Sequence, residues 1–258
     1  MNRLRALGYD VAFYHYADAL LRTAFPEAVE DLVSVLSEFR LPVSTLVRGG
    51  GGETEGTQWI RRALSERGWT KRTIHIDKTV VTYEGTPGRR TYREIDRSTV
   101  ASLTHEIDHV KLADNGVILL EVEWNNKDPF FDRDLENFKR LHADGAASIG
   151  VLITRGTSFQ ENIRDVLVRY AQRHELGSIE DLENHGLEPT SRQKADIERS
   201  VLRFQNDFPR GWANAFVSDK YATSTTHWAK LEDRLRRGVG NPCPLLAIGI
   251  PSEIMEED

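Results

Sequence analysis

Apolar residues recur at intervals of three and four in several stretches of the chain, which is the spacing of a helix with one buried face. Residues 10–40 predict two such helices, and Pro26 is well placed to begin the second. The same spacing predicts helices over Thr57–Arg67, Asp132–His142 and Phe159–Arg173. Each of these segments is long enough to cover one side of a sheet.

Short runs rich in branched residues lie between the predicted helices and indicate β-strands. The predicted strands are Ile74–Tyr83, Thr104–Leu112, Val117–Trp124, Ile149–Thr154 and Pro244–Ile250. Asn115 and Gly116 separate the second strand from the third, which is typical of a hairpin turn. The alternation of strands and helices predicts an α/β fold with a mixed sheet.

The length of 258 residues fits a single domain over 1–258, and the polar, turn-rich residues 177–211 predict a small helical sub-lobe within it. No apolar run approaches the roughly 20 residues that a membrane helix needs. The first residues lack the pattern of a secretory signal. Cys243 is the only cysteine, which excludes an intrachain disulfide and a multi-cysteine zinc site. We expect a cytoplasmic protein without a membrane partner, in which Cys243 is structural.

The charge balance is acidic overall but uneven. With 34 basic and 40 acidic residues, the net charge of −6 argues against a generally basic nucleic-acid binder. Residues 61–97 nevertheless contain ten Lys or Arg against five Asp or Glu, most densely in Gly88–Arg93. Because phosphate attraction is local, one basic face would be enough to bind DNA, although a solvated surface explains the same charges.

Glu121 and Glu123 lie two residues apart in a predicted strand, so their side chains point to the same face. A turn at residues 114–115 would place Asp108 opposite Glu121, and a turn at residues 115–116 would place it opposite Glu123. Both registers bring three carboxylates together, which is costly unless a cation or water compensates. Three oxygen ligands suit Mg²⁺ better than zinc. The pattern therefore indicates metal-assisted phosphodiester hydrolysis, or else an exposed acidic sheet face.

A second motif, His105-Glu106-Ile107-Asp108-His109, overlaps this segment. It matches H-E-x-x-H, the zinc peptidase motif in which two histidines lie one helical turn apart. The charge of Asp108, Asn115 in place of a third histidine, and the closeness of the downstream glutamates count against a zinc peptidase. If the segment is a strand, we expect His105 and His109 on the face opposite Asp108.

Four further stretches carry a resemblance to a known family. They are Gly56-Thr57-Gln58, Trp69, Glu121–Leu135 (EVEWNNKDPFFDRDL) and Gly150–Gly156 (GVLITRG). In this order they resemble the BglII group of type II restriction endonucleases. The resemblance implies a PD-(D/E)xK restriction-endonuclease-like core, a mixed β-sheet flanked by helices. It also implies a homodimer that binds palindromic double-stranded DNA and uses Mg²⁺.

The resemblance also implies roles for individual residues. Asp108 matches the metal-binding aspartate, Glu121 matches the second carboxylate ligand, and the main-chain carbonyl of Val122 completes the metal site. Glu123 takes the position that is lysine in most of the superfamily, glutamine in BglII-type enzymes and glutamate in the related BamHI. A glutamate there fits either a general base or a ligand of a second metal.

Candidate DNA contacts lie in two segments and at one strand end. Asn125, Asn126 and Lys127 directly follow the catalytic strand and are placed to reach phosphates or base edges, or to form a turn. Arg155 ends its strand and fits a phosphate contact or a salt bridge. The last segment offers small hydroxyl, basic and aromatic side chains that suit groove contacts or helix capping: Lys220, Tyr221, Ser224 and Thr225.

These observations favour a Mg²⁺-dependent restriction endonuclease that cuts both strands of a short palindromic site and leaves 5′-phosphates. By analogy with the group, the site would be centred on GATC and protected by a cognate DNA methyltransferase. Two other hypotheses stay open: a zinc metallopeptidase acting through His105 and His109, and a non-catalytic DNA-binding module.

Overall fold

The computed structural model describes residues 1–48, 53–86 and 91–258, with the backbone alone for residues 100–103. Residues 88–90 of the predicted basic stretch lie outside the described residues. Eight strands occur in the described ranges: β1 (Asp10–Tyr14), β2 (Leu41–Pro42), β3 (Thr70–Gly85), β4 (Tyr92–Ala113), β5 (Gly116–Glu123), β6 (Ile149–Arg155), β7 (Leu245–Ile250) and β8 (Met255–Glu256).

Six of these strands form one mixed sheet in the order β1-β7-β6-β5-β4-β3. Strands β5, β6 and β7 run parallel to one another, whereas β1 and the long pair β3 and β4 are antiparallel to their neighbours. Strands β2 and β8 form a separate parallel pair. The sheet is therefore parallel in its centre and antiparallel at both edges.

Eleven helices occur in the described ranges. They are α1 (Asn2–Ala6), α2 (Ala17–Ala24), α3 (Pro26–Glu38), α4 (Val43–Val47), α5 (Glu55–Ser65), α6 (Phe130–Ala143), α7 (Thr157–Arg173), α8 (Ile179–Asn184), α9 (Ser191–Arg203), α10 (Phe208–Lys220) and α11 (Trp228–Arg236). Pro26 begins α3, as its fixed φ angle favours. Thr190 caps α9 in a capping box with Gln193.

The sheet separates two apolar cores. In β5, Ile118 and Leu120 pack into one core with α3, α5 and α7, whereas Leu119 packs into the other with Phe138 of α6. Strands β6 and β7 are buried on both faces throughout. Helices thus cover both sides of the sheet, and the expected α/β class with a mixed sheet flanked by helices is confirmed.

One part of the prediction from periodicity was wrong. The helical region expected over residues 10–40 contains α2 and α3, but its first five residues form β1 instead. Those residues pair with β7 at the sheet edge and are half-buried, and a five-residue strand is too short for its period to stand out. In residues 177–211, Leu182 and Ile197 join the larger core, and the sub-lobe remains a prediction.

No helix within the described ranges is long and apolar enough to cross a membrane. Cys243 is buried before β7, where burial raises the pKa of its thiol to about 12. A thiol with this pKa stays protonated and packs as a small apolar group.

The turn between β4 and β5 sets their register. Ala113 pairs with Gly116, so the loop consists of Asp114 and Asn115. Gly116 has a φ of 144°, a conformation that side chains with a Cβ rarely adopt. A Cβ at this position would overlap Ser148 Oγ, which accepts a hydrogen bond from the Val117 N–H at 3.2 Å. The start of β5 is therefore fitted closely against the residue that precedes β6.

We predict that Gly116→Ala destabilises the protein by about 2–4 kcal/mol, because it adds a steric clash to an unfavourable φ angle. Gly145 is a matched control with a φ of 73° and no heavy atom within 4 Å of an added Cβ. Gly145→Ala should cost only about 1 kcal/mol. Denaturant unfolding of both variants measures the difference, and equal losses would contradict the proposed fit against Ser148.

Candidate active site

The pairing of β4 with β5 stops where the acidic residues begin. Its last pair is His109 with Leu120, and the next residues along the two strands are Asp108 and Glu121. At that point the backbone N–H of Asp108 donates to Oε2 of Glu121 at 3.4 Å. The structure therefore adopts the first of the two registers expected from the sequence, and the edge of β5 beyond Leu120 is free of β4.

A bulge in β4 lies at the same place. Thr70 pairs with Val110 and Arg72 with Ile107, so Asp108 and His109 together face the single residue Lys71. The Asp108 side chain is 56% exposed, and its carboxylate lies 3.9 Å from Lys71 Nζ. Bulges turn individual side chains away from the regular alternation of a strand. This bulge opens Asp108 to a cleft.

Glu121 is almost completely buried. It is 6% exposed, and among the described residues no basic side chain forms an ion pair with it. Burial, followed by the nearby carboxylates of Asp108 and Asp134, raises the pKa of Glu121 to about 9. An uncompensated carboxylate of this kind is stabilised by a cation.

Glu123 belongs to a hydrogen-bonded acidic group. Its carboxylate accepts from Asn126 Nδ2 at 2.6 Å and from Arg133 Nη2 at 3.3 Å. It also contacts the carboxyl of Asp134. Burial, followed by this contact, raises the pKa of Glu123 to about 8, and burial also raises the pKa of Asp134. Arg133 provides the positive charge of the group.

Asp134 and Arg133 were missed in the reading of the sequence. Asp134 is 1% exposed and lies on α6 between Phe131, Leu135 and Phe138, which are all buried. Its position in this apolar stripe, three residues after Phe131, is a signal that was available in the sequence. A carboxylate in a buried helix stripe requires a polar partner, and here Arg133 Nε donates to Asp134 Oδ1 at 2.8 Å.

The fit to a divalent cation rests on few groups. In the described ranges no three His, Cys, Asp or Glu side chains converge as a ready metal site. Asp108 and Glu121 nevertheless supply two hard oxygen donors beside each other, and the lack of an ion-pair partner for Glu121 leaves room for a cation's charge. Val122, the next residue after Glu121, pairs with Ile153 of β6 and lines the same cleft as Asp108.

The zinc peptidase hypothesis is wrong. His105 and His109 lie in β4, not on a helix, so they are not one helical turn apart on a shared face. Both are buried, at 8% and 3% exposed, as expected for packed histidines. The expectation that both lie away from Asp108 needs a correction, because the bulge brings His109 to the cleft that Asp108 lines.

Two distant segments form a joint surface next to the acidic residues. Lys127 forms a β-bridge with Thr225, and flanking backbone hydrogen bonds join Thr226 N to Asn126 O at 2.8 Å and Asp128 N to Ser224 O at 3.1 Å. We call residues 124–128 and 222–226 together the double loop. Asn126, Lys127 and Ser224 are exposed on it.

Arg155 lies beneath the double loop and is fully buried. Its guanidinium stacks over the ring of Tyr221, which is 3% exposed, at 4.8 Å. Burial lowers the pKa of Arg155 to about 10. From the sequence we expected Arg155 to contact a phosphate or to form a salt bridge. Its donors instead bind carbonyl, amide and hydroxyl oxygens inside the protein. Tyr221 is likewise a packing residue.

A cleft of about 650 Å³ reaches from Asp108 to the double loop. Val122, Asn125 and Lys220 also line it. Lys220 Nζ lies 3.5 Å from a carboxylate oxygen of Asp219. Most of the basic side chains along the cleft come from elsewhere in the chain: Arg48, Arg61 and Lys71.

We predict that Glu121→Gln stabilises the metal-free protein increasingly as the pH rises. The pKa of Glu121 is higher in the folded than in the unfolded protein. Its contribution to the free energy of unfolding is therefore lost as the pH rises from about 5 through about 9. In EDTA, the melting temperature of the variant should exceed that of the wild type by about 2–4 °C or more near pH 9, and by less near pH 6.

Glu136→Gln is the control, because Glu136 is an exposed residue of α6 whose pKa is lowered by Lys139 and Arg140. It should not gain stability with rising pH. A difference in melting temperature between the wild type and Glu121→Gln that does not change across this pH range would contradict a buried Glu121 without a counter-ion.

The comparison with protein families agrees with the geometry. The model of the family "Restriction endonuclease BglII/BglIII" matches residues 9–250 of the 258-residue chain. No curated protein matches the chain. The match spans β1 through β7 and includes the acidic residues, the cleft and the double loop. The family consists of type II restriction endonucleases, which hydrolyse DNA phosphodiester bonds. The chain belongs to the BglII/BglIII restriction endonuclease family.

Proposed function

We propose that this nuclease uses Mg²⁺ to cut both strands of a short palindromic site in double-stranded DNA, leaving 5′-phosphate and 3′-hydroxyl ends. The observation that carries the proposal is the contact of Asp108 N–H with Glu121 Oε2 at the free edge of β5. It joins Asp108, an exposed carboxylate that lines the cleft reaching the double loop, to the buried carboxyl of Glu121.

Asp108, Glu121 and the main-chain carbonyl of Val122 would hold the cation. When bound, Mg²⁺ supplies charge neutralisation at the scissile phosphate and lowers the pKa of an attacking water. The carboxylates themselves repel a phosphate, so the basic side chains along the cleft support substrate binding. Lys71, opposite the bulge, is the nearest of them to Asp108.

Glu123 would act as general base or as a ligand of a second cation. Asn126 and Arg133 hold its carboxylate in place, and its raised pKa brings proton transfer close to neutral pH. Both roles require the carboxylate to face the same side of β5 as Glu121, and the alternation of side chains along a strand provides this.

The double loop is the proposed DNA-contacting surface. Lys127 and Ser224 are exposed on it, while Asn125 lines the adjoining cleft. Asn125 Oδ1 is buried without a hydrogen-bond partner among the described residues. Its amide therefore has hydrogen-bonding capacity that the described residues do not use, which supports a role in contacting DNA.

A homodimer follows from the palindrome, because two-fold symmetric DNA is most simply cut by a two-fold symmetric protein. A site centred on GATC is proposed by analogy with the BglII group. We also propose a cognate methyltransferase that protects the same site, and action in the cytoplasm, where both proteins reach the DNA.

We expect purified protein to cut unmethylated phage DNA into discrete bands in Mg²⁺ and to leave it intact in EDTA. Glu121→Gln should lower the cleavage rate by at least about 100-fold, because it removes a charged metal ligand. Glu136→Gln, at an exposed ion-paired position of α6, should cleave at the wild-type rate.

Intact DNA in both lanes, with a correctly folded protein that still binds DNA, would favour a non-catalytic binding module. A smear in Mg²⁺ would retain the metal chemistry and contradict the site specificity. Cleavage that persists in EDTA would contradict the metal requirement.

Sequencing the fragment ends should show one palindromic sequence with 5′-phosphates on both strands. Sedimentation of the protein with an oligonucleotide of that sequence should give two chains per duplex. An asymmetric site, or a single chain per duplex at saturation, would contradict the dimer.

A further inference from the structure

Arg155 uses its entire guanidinium inside the protein. Nε donates to the carbonyl of Trp124 at 2.8 Å, and Nη2 donates to the carbonyl of Thr226 at 2.7 Å and to Thr225 Oγ1 at 2.6 Å. Nη1 donates to Gln160 Oε1 at 2.7 Å. One side chain at the end of β6 thus binds both segments of the double loop.

The segments it joins are almost 100 residues apart in the chain. One continues directly from β5, and the other connects α10 with α11. Among the described residues, the direct backbone links between the two segments are the bridge of Lys127 with Thr225 and its two flanking hydrogen bonds. Such a short ladder is marginal in water, so a buried contact beneath it has a large effect on its geometry.

An arginine at this position lowers the free energy of unfolding compared with an apolar side chain of similar size. It is 0% exposed, and none of the described carboxylates forms an ion pair with it. A buried cation without a counter-ion lowers stability, and Met or Leu would fill the same space without that cost. What those residues lack is a rigid fork of donors that reaches Trp124, Thr225 and Thr226 at once.

We propose that Arg155 is a positioning residue for DNA recognition: it fixes the double loop relative to the catalytic end of β5 without touching DNA. The part of this inference that concerns DNA recognition rests on the proposed function. The part that concerns the position of the double loop rests only on the contacts of Arg155. Since Trp124 follows Glu123 directly, the same fork sets where the DNA-facing residues sit relative to the acidic ones.

The first test is hydrogen exchange of the Thr226 and Asp128 amides, whose N–H groups form the backbone hydrogen bonds between the two segments of the double loop. Arg155→Lys should speed their exchange by about tenfold or more, because a lysine cannot replace the fork. Arg67→Lys is the control, since Arg67 binds Ala63 O and Ser34 Oγ, away from both segments.

A second pair of variants leaves the buried charge in place, in case Arg155→Lys does not fold. Thr225→Val removes one of the two acceptors of Arg155 Nη2 together with the hydrogen bond from Thr225 Oγ1 to Ala222 O, whereas Thr225→Ser retains a hydroxyl that can form both. Thr225→Val should speed exchange of the same two amides, and Thr225→Ser should leave it near the wild-type rate.

The recognition half is tested by cleavage of two oligonucleotide duplexes, one with the site found by end-sequencing and one with a single base pair changed. Both Arg155→Lys and Thr225→Val should lower the ratio of kcat/KM for the two duplexes by about tenfold or more, as expected when specific contacts are misplaced. Binding to an unrelated duplex should change little.

Unchanged exchange in Arg155→Lys and Thr225→Val would overturn the proposal. Faster exchange with an unchanged cleavage ratio would overturn the recognition half. If the wild type cleaves no DNA, the proposed function fails, and the exchange experiment still decides whether Arg155 holds the double loop.

Discussion

The turn of Asp114 and Asn115 controls the geometry at the far end of β4 and β5. Gly116 fits against Ser148, whose backbone N–H also donates to the Val117 carbonyl at 2.8 Å, so β5 is held to the start of β6 as well. Five paired positions further along β4, this register brings Asp108 to Glu121. A shift of the pairing would separate these two carboxylates, because the register of a hairpin moves as a whole.

The carboxyl ends of β5 and β6 carry opposite buried charges. Glu123 pairs with Thr154, and the next residue of β6, Arg155, binds the carbonyl that follows Glu123. Charges interact strongly inside a protein, where solvent screening is weak. Glu123 and Arg155 thus lie near each other on neighbouring strands, with Arg155 beneath the double loop. Parallel strands place both within one end of the sheet, where ligand sites of α/β folds commonly lie.

Much of this arrangement follows from local sequence pattern. The helices α3, α6 and α7 begin and end close to where apolar spacing, Pro26 and Gly145 place them, and the acidic hairpin was expected in one of two registers. The bulge at Asp108 was not foreseeable, because it arises from the pairing of β4 with β3, a long-range contact. Arg155 ends a strand, and this position alone suggested a surface contact. It is buried because the segment near Thr225, some 70 positions later in the chain, covers it. In both cases the surroundings of the side chain are set by tertiary contacts, which the local sequence does not determine.

The glutamate at position 123 changes the charge balance of the site. A lysine there, as in most of the superfamily that the chain resembles, would place a cation among the carboxylates. Here the nearest basic groups come from other elements, Lys71 on β3 and Arg133 on α6. Arg133 is held over the Phe130 ring at 4.4 Å and is shared between Glu123 and Asp134. Among the described residues Glu121 therefore has no ion-pair partner, and the charged form of this buried carboxyl lacks the offset that a lysine at position 123 would provide.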